Sequence, residues 1–239
     1  MGVSLQTIPS KTFGRTGMGE VLKNIAALGF YPTTVIDVGV ANGTGPLYEV
    51  YPDSYYLLIE PLIEFENKIG EILQKVKGEV FWGGCFSESR EIAINVHLDH
   101  LAGSSLFRES MGTRFDGVPR KIRCERLDTL VKERTLAGPY LLKIDAQGAE
   151  IDILRGSTAI LEKTELILLE ASLFEFMVGS PQFAEVIHFM TNLGYVTYDL
   201  FGMLYRPLDN ALGQVHIAFV RENSSLRRSP FWDTVRSGT

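Results

Sequence analysis

Short apolar runs alternate with stretches of helical periodicity along most of the chain. Four of these runs are almost continuously apolar and carry an acidic residue at or near their ends: TVIDVG (34–39), YYLLIE (55–60), PYLLKID (139–145) and ELILLE (165–170). Runs of this kind are typical of strands buried on both faces, and their alternation with helices is typical of a parallel sheet. The pattern therefore predicts an α/β fold.

Weaker patterns complete the predicted sheet. Further strands are predicted at 79–83, 91–98, 121–125, 195–201 and 215–220, and helices at 18–28, 46–51, 62–76, 128–134, 149–156 and 181–193. No clear helix separates the last two strands, since only residues 202–214 lie between them. We therefore expect an antiparallel hairpin at the end of a mostly parallel sheet with helices on both faces.

The chain divides into three predicted parts. Residues 1–33 form an N-terminal segment and helix, residues 34–221 form the main domain, and residues 222–239 form a mobile polar tail. Inside the domain, residues 99–120 have no strong period and mix hydroxyl, cationic and apolar side chains. This segment is the best candidate for a substrate loop, with a solvated surface loop as the alternative.

Composition and charge narrow the class of protein. A chain of 239 residues with 45% hydrophobic and 22% charged positions is typical of a globular protein and not of a disordered one. The apolar runs fall short of the roughly 20 residues that a membrane span needs. Since the N-terminus also lacks an apolar signal-peptide core, we expect no transmembrane segment and a cytoplasmic location. The net charge of −6 argues against a nucleic-acid partner held by phosphate neutralisation.

Acidic residues recur at the ends of the predicted core strands: Asp37, Glu60, Asp145 and Glu170. Ligands of open α/β sheets bind outside the carboxyl ends of the strands. Four carboxylates gathered there would repel one another unless a cation or a hydroxyl-rich ligand lay among them. A single acid could simply cap the next helix or loop, but four in corresponding positions favour a ligand site.

The turn after the first strand is rich in glycine. Its spacing, G-x3-G-x-G over Gly39, Gly43 and Gly45, differs from the dinucleotide pattern G-x-G-x-x-G, and no P-loop lysine follows. Glu60, at the end of the second strand, can accept both hydrogen bonds of a ribose diol. A glycine turn and a ribose acid without a pyrophosphate clamp favour S-adenosylmethionine over NAD.

Several motifs make the chain similar to a known family. They are VIDVGVANGTG (35–45), LLIEP (57–61), GSSL (103–106), ERLDTL (125–130), LLKIDAQGAEIDILRG (141–156) and ILLE (167–170). Over roughly residues 20–220 the chain resembles the FkbM-type S-adenosylmethionine-dependent methyltransferases, and KIDAQGAE is the most specific signature. The resemblance implies a class I, Rossmann-like methyltransferase with a seven-stranded sheet. It also implies S-adenosylmethionine as cofactor, S-adenosylhomocysteine as product, and O-methylation of a sugar hydroxyl or a glycosylated or natural-product small molecule.

The resemblance also implies roles for single residues. The predicted cofactor-binding residues are Asp37, Gly39 and Gly43 around the methionine moiety, Ala41 and Asn42 in the same turn, Glu60 at the ribose, Pro61 and Leu62 along the adenine edge, Cys85, Phe86 and Ser87 near adenine, and Asp145 beside the methyl group. The substrate-binding candidates are Ser104, Ser105, Arg108 and Gln147.

The catalytic candidates are side chains that could take a proton from the acceptor or hold a charge near it. They are Asp145, Glu170, Lys143, Glu150 and His100. Asp145 and Glu150 flank a glycine-containing turn, so both are expected to face the cleft, whereas His216 is expected to be structural. No metal ligand is assigned, because no specific ligand spacing is present.

Three other functions stay open at this point. A nicotinamide-dependent oxidoreductase would need a pyrophosphate-binding glycine pattern, which the sequence lacks. An N-methyltransferase would share the cofactor half of the site, and a methyltransferase-like domain could bind without turnover. The expected partner is a small-molecule or glycan acceptor, and a homo-oligomer is left open.

Overall fold

The computed structural model describes residues 15–231, and within them the chain forms ten strands and six α-helices. In chain order they are α1 (Met18–Ala27), β1 (Thr34–Val38), α2 (Gly45–Val50), β2 (Tyr55–Glu60), α3 (Glu66–Leu73), β3 (Lys77–Trp82), β4 (Gly84–Cys85), β5 (Arg90–Val96), β6 (Val118–Glu125), α4 (Leu127–Glu133), β7 (Tyr140–Ile144), α5 (Glu150–Arg155), β8 (Thr164–Ser172), α6 (Phe183–Asn192), β9 (Tyr195–Tyr205) and β10 (Leu212–Arg221). None of the helices in this part of the chain is both long and apolar enough to cross a lipid bilayer.

Seven strands form the main sheet, in the order β3-β2-β1-β7-β8-β10-β9. The first five of these are parallel, whereas β10 runs antiparallel to both β8 and β9. The predicted α/β fold, with a mostly parallel seven-stranded sheet and a terminal antiparallel hairpin, is therefore confirmed.

Helices cover both faces of this sheet. Ile36 of β1 belongs to the same buried cluster as Ile153 of α5, whereas its neighbour Val35 belongs to the cluster that contains Leu22 of α1. Side chains alternate between faces along a strand, so α4–α6 cover one face and α1–α3 the other. Burial on both faces explains why the central strands are continuously apolar.

A second, three-stranded sheet has the order β4-β6-β5. The sequence predicts β5 and β6 as strands but gives no sign that they form a separate sheet. Strand β6 also begins at Val118, inside the segment 99–120 that is predicted to be a loop. Pro119 pairs with Asn95 of β5, while β4 pairs only with Cys124 and Glu125. At Pro119, the edge of β6 that faces away from β5 has no partner strand. The N–H group that proline lacks is therefore not needed for a hydrogen bond between strands.

The two ends of the chain are only partly described. Residues 1–14 and 232–239, which belong to the predicted N-terminal segment and the predicted tail, lie outside the described residues. Within the described part of the tail, the Glu222 N–H donates to the Gly194 carbonyl, and Ser224 is buried. The start of the predicted tail therefore packs against the domain.

Candidate functional site

Charged side chains at the strand ends share one face of the main sheet. In each central strand an apolar residue on the α1–α3 side is followed two positions later by a charged one: Val35 by Asp37, Leu58 by Glu60, Leu141 by Lys143 and Leu168 by Glu170. The period of two places these charges on the same face. Because parallel strands end at one edge of the sheet, they also converge there.

A cavity of about 570 Å³ opens at this edge. It is lined by the turn after β1, the residues that follow β2, the ends of β7 and β8, and the segment between β5 and β6. A cavity of this volume is typical of small-molecule and cofactor sites.

The turn after β1 approaches the end of β7 very closely. Gly39 has φ +74°, and a Cβ there would lie 1.9 Å from the Asp145 backbone oxygen. Only glycine fits this position, because any side chain would collide with the β7 backbone. Ala41, further along the turn, also has a positive φ of 44°. The turn therefore packs directly against the end of β7.

Glu60 holds this turn in place. Its Oε2 accepts a hydrogen bond from the Ala41 N–H (2.8 Å), and its Oε1 accepts one from the Leu62 N–H (2.9 Å). Burial raises the pKa of Glu60, although the two hydrogen bonds oppose the rise. Each carboxylate oxygen has a second lone pair. Because Glu60 also lines the cavity, it can bind a ligand hydroxyl while it stabilises the turn after β1 and the residues that follow β2.

Asp37 is fully buried and does not line the cavity. Its Oδ1 lies 3.1 Å from Lys143 Nζ, and its Oδ2 accepts a hydrogen bond from the Tyr48 hydroxyl (3.2 Å). Lys143 Nζ also donates to the Gly39 carbonyl (2.7 Å). Burial alone would lower the pKa of Lys143, but Asp37 and Asp145 outweigh it and raise that pKa. The buried ion pair therefore fixes the glycine turn to the end of β7.

A second polar cluster lies at the ends of β7, β8 and β10. Gln147 Nε2 lies 3.0 Å from Asp145 Oδ1 and 3.3 Å from Glu170 Oε2. Gln214 Nε2 lies 3.0 Å from the same Glu170 oxygen, and His216 Nε2 lies 4.0 Å from Glu170 Oε1. Burial, followed by repulsion from Asp145, raises the pKa of Glu170 to about 8.

Glu150 does not face the cavity, although the sequence predicts that it does. Its Oε1 accepts hydrogen bonds from the N–H groups of Ala146 (3.0 Å) and Gly148 (3.2 Å). Burial raises the pKa of Glu150 to about 7. The side chain thus stabilises the turn in which Gln147 has a positive φ of 49°. The two backbone donors turn Glu150 inward, away from the cleft.

Most of the predicted site residues line the cavity. They are Gly39, Ala41, Asn42, Gly43, Glu60, Pro61, Leu62, Cys85, His100, Ser104, Ser105, Lys143, Asp145, Gln147 and Glu170. The structure brings these residues together, while their individual roles stay predictions.

Five predicted site residues, all within the described chain, do not line the cavity: Asp37, Phe86, Ser87, Arg108 and Glu150. The Phe86 ring lies under the Arg90 guanidinium (5.0 Å), and the Ser87 carbonyl accepts a hydrogen bond from Arg126 (2.7 Å). The chain after β4 therefore turns away from the cavity. Arg108 is exposed beyond the cavity rim.

Two members of this polar cluster, Gln214 and His216, line the cavity but are not among the predicted site residues, and the sequence predicts a structural role for His216. Ala218 and Val220 of the same strand belong to the cluster on the α1–α3 side, so the period of two places His216 and Gln214 on that face as well. The antiparallel register then sets His216 opposite Glu170. The sequence shows which residues of β10 share a face, but it does not show the register that places His216 beside Glu170.

The segment between β5 and β6 closes one side of the cavity. Ser105 is buried; its Oγ donates to the Gln147 carbonyl (2.7 Å) and accepts from the Phe107 N–H (3.0 Å). Further along, the Val178 N–H donates to the Arg108 carbonyl (2.8 Å). The segment is thus attached to the Gln147 turn and to the residues after β8.

Comparison with known proteins identifies a family. Residues 37–197 match the family model described as the methyltransferase FkbM domain. No curated protein matches the chain.

Several solved structures are similar to this one. The FkbM methyltransferase from Methylobacillus flagellatus KT is 15% identical over 77% of this chain and 43% of that chain, with a TM-score of 0.47. An rRNA methylase from Streptococcus thermophilus is 13% identical over 84% of this chain and 94% of that chain (TM-score 0.43). The M. jannaschii TYW2 protein, in complex with AdoMet, is 10% identical over 89% of this chain and 79% of that chain (TM-score 0.40). The chain thus spans less than half the length of the M. flagellatus protein.

Proposed function

Since this chain belongs to the methyltransferase FkbM domain family, we propose that it transfers a methyl group from S-adenosylmethionine to a hydroxyl oxygen of a sugar or of a glycosylated or natural-product small molecule. One observation supports this proposal above the others. A single cavity joins a glycine turn and a buried ribose-type carboxylate, Glu60, to a polar cluster around Asp145 and Glu170.

The residues present suit an adenosine-containing cofactor. Glu60 has lone pairs free beside the glycine turn, which Gly39 lets pack directly against the end of β7. Apolar side chains that can contact a purine line the same end: Leu62, Phe65, Ile94 and Ile122. The turn lacks the dinucleotide glycine pattern, so a nicotinamide dinucleotide fits less well.

The other end of the cavity suits a neutral, hydroxyl-bearing acceptor. Asp145 and Glu170 offer hydrogen-bond acceptors, and Gln147 and Gln214 offer amide groups. Ser104 and Ser105 also line the cavity, and Ser105 is bonded to the Gln147 turn. Such a mixture binds sugar hydroxyls by many directed hydrogen bonds rather than by charge.

These residues also support the chemistry of oxygen methylation. When bound, S-adenosylmethionine supplies a methyl group on a sulfonium, so the acceptor oxygen forms a C–O bond while the C–S bond breaks and its electron pair stays on sulfur. Either Asp145 or Glu170 is placed to accept the one proton that the hydroxyl loses. Lys143 and Glu150 keep the turns in position from behind the cavity, because both are tied to backbone groups. The protein contributes mainly orientation.

A transfer assay with methyl-labelled S-adenosylmethionine tests the proposal. The full chain is incubated with panels of oligosaccharides, glycosylated small molecules, amine analogues and RNA. We expect label on oxygen of a glycosylated acceptor, with loss of at least about tenfold in rate for Asp145→Asn and none for Asp152→Asn, a carboxylate outside the cavity.

The other outcomes assign the remaining functions. Label on amines would indicate an N-methyltransferase, and label on RNA a nucleic-acid substrate. S-adenosylhomocysteine binding without transfer to any acceptor would indicate a non-catalytic binding domain.

A further inference from the structure

Three metal-ligating side chains converge at the acceptor end of the cavity. Asp145, Glu170 and His216 each offer one ligand atom, and these atoms all lie within 4.8 Å of one another. They come from the end of β7, from β8 and from β10, and Glu170 and His216 are direct partners across the β8–β10 register. No metal site is predicted from the sequence, since these donors come from three separate segments and have no specific ligand spacing.

The imidazole of His216 is oriented for ligation. Its ring lies against the Gly202 backbone. The nitrogen on that side is Nδ1, since a Cβ at Gly202 would lie 2.7 Å from it. Nε2 lies on the other side of the ring, 4.0 Å from Glu170 Oε1. A backbone partner on the far nitrogen is the usual arrangement for a metal-binding histidine.

The two glutamine side chains beside Glu170 bind the same one of its oxygens. Gln147 and Gln214 both place their amide nitrogen on Oε2, the other oxygen of the carboxylate. Glu170 Oε1 and His216 Nε2 lie 4.0 Å apart, a separation that a cation bound to both can bridge.

Positive charge at this end of the cavity is scarce. Among residues 15–231, Lys143 is the one Lys or Arg side chain that lines the cavity. Its Nζ lies 3.1 Å from Asp37 Oδ1 and 3.9 Å from Asp145 Oδ2. Lys143 thus pairs mainly with Asp37, and the repulsion between Asp145 and Glu170 is compensated only in part.

The geometry points to a site for a divalent first-row transition-metal cation, of the Mn²⁺ type, held by Asp145, Glu170 and His216. Two carboxylate oxygens and one imidazole nitrogen favour such a cation over Mg²⁺ or Ca²⁺, which prefer oxygen ligands alone. The cation would bind the acceptor hydroxyl and lower its pKa. That role rests on the proposed function, whereas cation binding itself does not.

Manganese binding to the untagged, chelator-treated full chain tests the site. Titration with MnCl₂, followed by the EPR signal of free Mn²⁺, is expected to show one saturable site per chain. Bound Mn²⁺ is expected to show nitrogen coupling from an imidazole in pulsed EPR of the wild type. Mg²⁺ should displace Mn²⁺ only at a concentration at least about tenfold higher.

Two variants and a control locate the cation. His216→Ala and Glu170→Gln should each weaken Mn²⁺ binding by about tenfold or more, and His216→Ala should remove the nitrogen coupling. His188→Ala, at an exposed histidine whose ring contacts Asn192, should change neither. Circular dichroism in EDTA checks that each variant is folded.

The inference is overturned by absence of saturable binding, by binding without imidazole coupling in the wild type, or by affinity unchanged in both variants. Parallel titration with S-adenosylhomocysteine in EDTA separates this result from the proposed function. Cofactor binding without Mn²⁺ binding removes only the cation site. Mn²⁺ binding without cofactor binding removes the proposed function and keeps the cation site.

Discussion

At the scale of single residues, buried carboxylates shape the site without facing it. Glu150 is 4% exposed and accepts two backbone N–H groups through one oxygen, Oε1. A glutamine side chain can offer the same oxygen, so the charge and the hydrogen bonds of Glu150 can be separated by mutation.

Glu150→Gln should make the protein's stability less dependent on pH. The pKa of Glu150 in the folded state, about 7, lies above the ordinary 4.5. The folded state therefore binds more protons than the unfolded state between these values, and the stability that Glu150 contributes is lost as pH rises from 4.5 to 7. As pH rises through this range, the free energy of unfolding of the wild type should fall by up to about 1.4 kcal/mol more per pH unit than that of the variant.

Urea unfolding of the two proteins between pH 4.5 and 8 measures this difference. Glu162→Gln, at an exposed position, should follow the wild type, and Glu150→Ala should be less stable throughout because two buried N–H groups lose their acceptor. Identical pH profiles for Glu150→Gln and the wild type would show that Glu150 is ionised in the folded protein.

Gly39→Ala should disrupt the cofactor end of the cavity. The new Cβ would lie 1.9 Å from the Asp145 carbonyl oxygen, at a positive φ. The free energy of unfolding should fall by more than about 1 kcal/mol, and S-adenosylhomocysteine binding should be lost. Thermal unfolding and calorimetry measure both effects.

Gly70→Ala is the matched control for Gly39→Ala. A Cβ at Gly70, in helix α3, meets nothing within 4 Å, so alanine should stabilise the protein by about 0.5–1 kcal/mol. Cofactor binding retained in Gly39→Ala would show that the turn can shift without loss of the site.

At the scale of elements, the segment between β5 and β6 depends on one buried hydroxyl. Ser105 is 1% exposed and joins this segment to the Gln147 turn. Ser105→Ala should reduce the free energy of unfolding by about 1–3 kcal/mol, since the Phe107 N–H loses its acceptor and the Gln147 carbonyl its donor.

Hydrogen exchange should show where Ser105→Ala acts. The amides of residues 105–107 and 146–148 should exchange faster than in the wild type. Ser110→Ala, at an exposed serine whose backbone N–H makes the contact to Phe176, should leave both stretches unchanged. Faster exchange spread evenly over the whole chain would contradict a local role for Ser105.

The sequence predicts elements better than it predicts their partners. Strands β1, β2, β7 and β8 are evident because burial on both faces leaves a continuous apolar run. The separate sheet of β5 and β6 is not evident, since alternating strands carry no mark of which sheet they join. His216 escapes prediction for the same reason: its place depends on the register between β8 and β10.

At the scale of the whole molecule, the order of the strands in the main sheet brings the charged site residues together. Placing β1 between β2 and β7 brings Asp37 directly opposite Lys143, and the same edge carries Glu60 and Glu170. The sequence identifies most of these residues because each ends a strand. It places Glu150 wrongly in the cleft, because the direction of a side chain in a short turn depends on local backbone donors.

Glu60→Gln should weaken cofactor binding. One of its two oxygens would be replaced by an NH₂ group facing the N–H of either Ala41 or Leu62. A ligand hydroxyl bonded to Glu60 would also lose its charged acceptor, which costs about 1.5–3 kcal/mol, so affinity for S-adenosylhomocysteine should fall about tenfold to a hundredfold. Glu66→Gln, at an exposed glutamate outside the cavity, should bind like the wild type.

Calorimetric titration of the full chain with S-adenosylmethionine, S-adenosylhomocysteine and NAD, in the wild type and in Glu60→Gln, tests the cofactor assignment most directly. We predict saturable binding of the first two ligands, no binding of NAD, and weaker binding of both adenosyl ligands in the variant. Binding of NAD alone, or adenosyl binding that Glu60→Gln leaves unchanged, would contradict the assignment of this cavity.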